Sequence, residues 1–183
     1  STSFHALRKA ELQSGETVAV FGVGGLGMSA IQLAQIMGAM DVYAVDINAD
    51  RLELAESLGA IPVNAATSDP VAALQELTGG LGVDVALELI GFPQTMRQAV
   101  RSLGVFGRAV IAGITREPFE IYSYGEPLGQ EAVVRGSDDH LLSELPLLVE
   151  FARRGLLDLS DVVTRTVPLD AGEINAVMDE LEA

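Results

Sequence analysis

The sequence encodes a doubly wound α/β domain: a six-stranded, mostly parallel sheet with helices on both faces. Three features carry this reading. Short apolar runs rich in β-branched residues alternate with amphipathic stretches five times between Thr17 and Ala112, the pattern of parallel strands joined by crossover helices. Glycine, proline or an Asx residue punctuates the junctions between them. The first strand-to-helix junction is Gly22-Val23-Gly24-Gly25-Leu26-Gly27, a turn that presents bare backbone.

Residues 1–15 form an entry segment. Phe4, Ala6, Leu7, Ala10 and Leu12 make one short helix amphipathic, and Ser14-Gly15 ends it. Residues 16–136 carry the sheet. Thr17–Phe21 is the first strand, Met28–Met37 the first crossover helix, and Val42–Val45 the second strand, closed by Asp46. Asn48 caps a helix that runs to about Leu58, where Gly59 stops it. Ile61–Asn64 is a third strand, placed near a sheet edge by Pro62, which has no N–H to give a central ladder. Asp69 followed by Pro70 has the order of an N-cap and a first helical residue, so Val71–Leu77 is helical. Val83–Leu89 is the fourth strand, Gln94–Leu103 a helix, and Ala109–Ala112 the fifth strand after the turn at Gly104 and Gly107. Thr115–Gly129 reads as a long loop across the open end of the sheet, and Ala132–Arg135 as a sixth strand. Residues 137–183 close the domain with two helices. Ser143 caps the first, whose Leu145, Leu148, Val149 and Ala152 share a face before Gly155; Asp170 and Glu173 form a capping box for the second, with Ile174, Val177, Met178 and Leu181 on one face.

The stretch from Thr17 to Asp46 carries the chemistry. A strand, a G-x-G-x-x-G turn, a helix, and an acid nineteen residues after the last glycine make the dinucleotide-binding fingerprint of a Rossmann domain. Gly22 lets the chain turn off the strand, Gly24 keeps a Cβ out of the path of a pyrophosphate, and Gly27 lets the helix lie close to the sheet. The phosphates then meet free N–H groups at a helix N-terminus, where aligned peptide dipoles amount to roughly half a positive charge. Asp46 is placed to accept hydrogen bonds from the adenosine ribose. Its negative charge would repel a 2′-phosphate, so the coenzyme is NAD and not NADP.

Composition narrows the rest. A net charge of −15, from 11 basic and 26 acidic residues spread over helix faces, argues against a nucleic-acid backbone or an anionic membrane as partner. No apolar run approaches the ~18 residues of a membrane span, and no basic-then-apolar leader is visible, so a soluble, cytoplasmic protein is expected. The absence of cysteine excludes disulfides, thiolate metal sites and a Cys nucleophile without fixing the compartment. With no initiator Met, the chain is expected to be an excised or processed piece.

With these residues in hand, the chain resembles the cofactor-binding domain of the medium-chain dehydrogenase/reductase superfamily, and within it the zinc-dependent alcohol dehydrogenases. Thr2–Leu7 is similar to the family's entry helix, Ser14–Val20 to its lead-in strand, Gly22–Gly27 to its doubled-glycine turn, and Val45–Asn48 with Arg51 to its NAD-type ribose site. Glu88-Leu89-Ile90-Gly91 and Ala112-Gly113-Ile114 fall where the family's fourth and fifth strands end. The resemblance implies that Gly22, Val23, Gly24, Gly25, Leu26 and Gly27 form the coenzyme turn, that Asp46, Ile47 and Arg51 hold the adenosine, and that Ile90, Gly91, Ala112, Gly113 and Ile114 border the nicotinamide. Thr2 matches a family threonine near the nicotinamide, or it simply caps its helix. The family's zinc is bound by Cys and His residues of a separate catalytic domain, where it polarises the alcohol oxygen so that an alkoxide forms near neutral pH. That domain is expected to be absent here, together with the family's closing segment. The chain would thus hold NAD(H) without turning over substrate, its partners being the missing catalytic domain of the same polypeptide and a second copy joined through the edge strand Ala132–Arg135.

A competing reading is a stand-alone dinucleotide-sensing regulatory domain. S-adenosylmethionine is disfavoured as the cofactor by the doubled glycine, and a short-chain dehydrogenase by the lack of a Tyr-x-x-x-Lys pair. Asp138-Asp139-His140 has the wrong spacing for two metal ligands on one helix face and reads as a solvated loop. His5 reads as a partly exposed helix residue. Glu88, late in a buried strand, reads as an acceptor of backbone N–H groups. Tyr122 and Tyr124 are expected to pack against the long loop.

Overall fold

A computed structural model of the protein describes residues 1–160 and 165–182. Six strands form one sheet: β1 (Thr17–Phe21), β2 (Asp41–Asp46), β3 (Ile61–Asn64), β4 (Val83–Glu88), β5 (Leu103–Ile111) and β6 (Val133–Gly136). Their order is β3-β2-β1-β4-β5-β6, and every neighbouring pair is parallel. The helices are α1 (Thr2–Lys9), α2 (Gly25–Ile36), α3 (Ala49–Ser57), α4 (Pro70–Leu77), α5 (Pro93–Arg101), α6 (Leu145–Arg153) and α7 (Ala171–Glu182).

The two-residue period of the strands divides the core into two layers. Val18 and Val20 of β1, with Val42 and Ala44 of β2, pack on one face against Leu7 of α1, Ile31 of α2 and Leu52 of α3. Ala19, Phe21, Tyr43 and Val45 point the other way, toward Leu74 of α4 and Val100 of α5. Fully burying a side chain such as Phe21 contributes roughly 1.5–3 kcal/mol, so a one-residue slip of β1 would expose both layers together. Between β1 and β4 the chain reverses its direction of travel across the sheet, which opens a crevice at their carboxyl ends.

Local chemistry sets the elements as anticipated in most places. Asn48 accepts the Arg51 N–H at 3.0 Å, Asp69 accepts the Val71 and Ala72 N–H groups at 2.8 and 3.2 Å, and Pro62 lies on the edge strand β3. Elsewhere the structure departs from the expectation. β5 starts at Leu103, because Gly104–Gly107 is an outward kink inside the strand: Val83 pairs with Leu103 and Val85 already with Arg108, while Phe106 takes φ +63°. Ser143 does not cap α6. It sits within a 3-10 turn, Leu142–Glu144, because the buried Glu144 carboxylate reaches back to the Leu141 N–H at 3.1 Å. Val149, placed on the packed face by periodicity, is exposed, and so is Ala152; of that set Leu148 is the buried one. At α7, Asp170 accepts the Gly172 and Glu173 N–H groups at 2.9 and 3.3 Å. Ile174 and Met178 are exposed, and the Leu181 side chain lies outside the described residues.

The long loop is more ordered than its glycines and prolines suggest. A π-helical turn covers Tyr124–Leu128, and the buried Glu126 anchors it to α5 through Arg97 at 3.1 Å and Arg101 at 3.8 Å. Tyr122 stacks its ring beneath the Arg97 guanidinium, 4.4 Å from carbon to centroid. Tyr124, at the start of the π turn, is 83% exposed, so the expected packing against the loop is not made.

Candidate functional site

A cavity of about 430 Å³ occupies the crevice, lined by Gly22, Gly24, Gly25, Leu26, Gly27, Asp46, Ile47, Arg51 and Ile90 among the residues anticipated from sequence. The four glycines are there for different reasons. Gly22 takes φ +91°, and a Cβ on it would lie 2.5 Å from Ile90 Cγ1; a Cβ on Gly27 would strike the Gly22 carbonyl. These two glycines make the bend. A Cβ on Gly24 or Gly25 would meet no protein atom within 4 Å. Their bareness serves no packing within the chain, and it leaves an open cradle at the start of α2. No side chain caps that helix, whose N-cap is Gly24, so its first-turn N–H groups face the cavity and the positive end of the dipole goes with them.

Asp46 is 7% exposed at the tip of β2. Its Oδ2 accepts the Val23 N–H at 2.9 Å and its Oδ1 accepts the Asn48 N–H at 2.9 Å, while Arg51 stands 4.0 Å away. The carboxylate therefore fastens the glycine turn to the neighbouring strand as well as facing the cavity. Each oxygen keeps a further lone pair for a ligand hydroxyl. Val23 itself does not line the cavity: its side chain is buried in the core and its N–H belongs to Asp46.

Past Ile90 the chain meets a second exit of the sheet. Gly91 is buried against Ile114, where a Cβ would lie 2.5 Å from the Ile114 carbonyl oxygen. Ala112, Gly113 and Ile114 line a second cleft of about 420 Å³ with His5, Lys9 and Ser137. Ile114 is 89% exposed. Thr2 lines neither cavity. It is the first residue of α1, behind Ser1 at the N-cap position, and neither side chain makes a capping hydrogen bond. Ser3 instead joins α1 to the glycine turn, its hydroxyl donating to the Leu26 carbonyl at 2.7 Å.

Sequence reasoning did not single out Phe92, Thr95, Gln98, Ala65 and Leu89, which also line the first cavity. Only Thr95 left a signal, a hydroxyl one turn into a helix that follows a buried acid. Glu88 is fully buried, and its Oε1 accepts the Ile90 N–H at 3.1 Å, the Gly91 N–H at 2.9 Å and the Thr95 hydroxyl at 2.7 Å.

His5 is not the half-exposed residue its helix position suggested. It is 8% exposed, and its Nδ1 lies 3.0 Å from Glu144 Oε1 because α6 folds back over α1. Burial pushes the Glu144 carboxyl up, but the His5 hydrogen bond, the Leu141 N–H and the charges of His5 and Arg8 outweigh it and hold the group below its ordinary range. His140 pairs with the adjacent Asp139 at 2.5 Å. Among the described residues no three His, Asp or Glu side chains converge as a metal cluster. Nor is any described helix long and apolar enough to cross a membrane.

A family model described as zinc-binding dehydrogenase matches residues 25–152. The (R,R)-butanediol dehydrogenase of Bacillus subtilis is 35% identical over 171 residues, which are 93% of this chain and 49% of that protein. An alcohol dehydrogenase from Thermus sp. ATN1 superposes with a TM-score of 0.89 at 31% identity, covering 100% of this chain and 54% of the other. The alcohol dehydrogenase of Aeropyrum pernix gives 0.86 at 35% identity, over 99% and 51%. The chain spans about half the length of the relatives it matches.

Proposed function

The chain belongs to the zinc-binding dehydrogenase family, and from that premise we propose that it is the NAD(H)-binding part of a zinc-type alcohol or polyol dehydrogenase. One observation carries the coenzyme assignment: Gly24 and Gly25 leave a cradle that no protein atom fills, at an uncapped helix N-terminus and across from a carboxylate. A diphosphate suits the first and a ribose the second.

In this reading Gly24, Gly25 and Leu26 give their N–H groups to the pyrophosphate. Asp46 accepts from the adenosine ribose hydroxyls, Ile47 covers the adenine, and Arg51 reaches the same sugar. Ile90 and Gly91 form one wall of the nicotinamide end; Ala112, Gly113 and Ile114 form the other. NAD, when bound, supplies a hydride acceptor, and these residues orient its ring and exclude water from it. The relatives' names supply the substrate class, an alcohol. Zinc and its ligands would come from a catalytic domain of the same polypeptide, so the chain alone is not catalytic. The exposed edge of β6 would join two copies in a homodimer, which sedimentation at tens of micromolar checks: a monomer alone removes it.

Calorimetric titration with NADH and NADPH tests the coenzyme reading. NADH binds weakly and NADPH more weakly still; equal affinity for the two contradicts the role given to Asp46. A turnover assay on simple alcohols with zinc added gives no reduced coenzyme.

A further inference from the structure

We propose that Glu88 is the positioning residue for the nicotinamide end of the cleft: its buried carboxylate holds one wall by hydrogen bonds and packs against the other, which its main-chain carbonyl holds. The proposal rests on the coenzyme reading above and adds to it the device that fixes the half of the site no continuous motif encodes.

Glu88 ends β4 and has no exposed surface. Its side chain holds the first wall: the Ile90 and Gly91 N–H groups and the Thr95 hydroxyl all converge on Oε1. Its main-chain carbonyl holds the second wall, accepting the Ala112 N–H at 2.9 Å and the Gly113 N–H at 3.0 Å. The remaining oxygen, Oε2, is buried without a hydrogen-bond partner. It faces the Cα of Gly113 closely enough that a Cβ there would lie 2.5 Å away. Gly91 and Ile114 then meet backbone to backbone between the two walls. No described cation pairs with this carboxylate, so ion pairing does not account for it. A buried acceptor with three donors on one oxygen and none on the other is costly unless the groups it holds require it. What it holds are the N–H groups of Ile90, Gly91, Ala112 and Gly113, four of the five residues assigned to the nicotinamide.

Glu88→Gln keeps an oxygen for the three donors but weakens a charged acceptor to a neutral one, and sets an amide donor against Gly113. Two ligands separate positioning from general stability. NADH reaches the nicotinamide end, whereas ADP-ribose has the same diphosphate and adenosine but no nicotinamide. In calorimetric titration of the full chain, the unmutated protein binds NADH more tightly than ADP-ribose. Glu88→Gln lowers NADH affinity about tenfold, equal to roughly 1.4 kcal/mol, leaves ADP-ribose within about twofold, and shifts the emission of bound NADH toward that of the free coenzyme. Thr95→Val removes one of the three donors and gives the same selective loss at about threefold, by the ordinary worth of one hydrogen bond. It decides the matter should Glu88→Gln fail to fold. Equal weakening of both ligands, or no change in NADH binding, overturns the proposal, as does equal affinity of the unmutated chain for the two. An unmutated chain that binds neither overturns the coenzyme reading, and the positioning role falls with it.

Discussion

The two ends of the proposed coenzyme site, one assigned to adenosine and one to nicotinamide, are built by opposite means. At the adenosine end one contiguous turn, Gly22–Gly27, supplies both the bend and the open cradle at Gly24 and Gly25, and one acid from the adjacent strand fastens it. At the nicotinamide end the residues come from the exits of β4 and β5, and their spacing depends on contacts between segments distant in the chain. The first is a local device, sufficient once β1 and α2 exist. The second forms only when the sheet has closed as far as β5, and it has less tolerance for a change in any one part.

The hardest test of the local device is Gly27→Val. Its side chain would strike the Gly22 carbonyl, and overpacking of this kind costs about 3 kcal/mol; the denaturant midpoint falls and NADH binding is lost for both ends at once. Gly113→Ala tests the assembled end. The added Cβ presses on Glu88 Oε2 and on the Gly91 backbone, at a cost of about 2 kcal/mol. NADH affinity drops while ADP-ribose affinity holds, and an equal drop in both would erase the distinction between the two ends.

Asp46→Ala has the next largest effect. It removes the acceptor proposed for the ribose together with the acceptor of the Val23 N–H, so NADH affinity falls about tenfold, worth roughly 1.4 kcal/mol, and stability falls by about 1 kcal/mol. Arg51 remains, and NADPH affinity rises in the same titration. Unchanged discrimination between the coenzymes would place the selectivity elsewhere.

Glu144 gives the smallest effect and the one outside both ends. Its carboxyl is held below the ordinary range, so its contribution to stability is fully present above the unfolded-state value of about 4.3 and is lost as pH falls through the folded value beneath it. Thermal midpoints between pH 6 and 3 therefore fall further for the unmutated chain than for Glu144→Gln. Parallel curves would show that the contact with His5 and Arg8 contributes nothing to folding.

The same contrast explains what was legible in the sequence. The parallel sheet with helices around it followed from five alternations of apolar run and helix, and the glycine turn from the spacing of Gly22, Gly24, Gly27 and Asp46, because both are periodic or contiguous. Asn48 and Asp69 could be read as caps since a cap acts within three residues. The kink at Gly104–Gly107 looked like a plain turn, since glycines punctuate a bulge and a connection alike. Ser143 was outcompeted by Glu144, whose partners His5 and Leu141 lie on two different segments. Likewise, Thr95 and Phe92 line the cavity only because β4 and α5 meet there. The exposed apolar residues of α6 and α7 kept their period without finding a covering layer among the described residues, and periodicity alone does not say which surface meets them.

Amide shifts recorded by NMR during a titration of the chain with NADH read the glycine turn itself. The Gly24, Gly25 and Leu26 N–H signals move saturably together with those around Asp46, while Leu81 and Phe106, at the opposite end of the sheet, stay in place. Saturable shifts centred on that opposite end, or none at Gly24 and Gly25, would contradict the coenzyme reading.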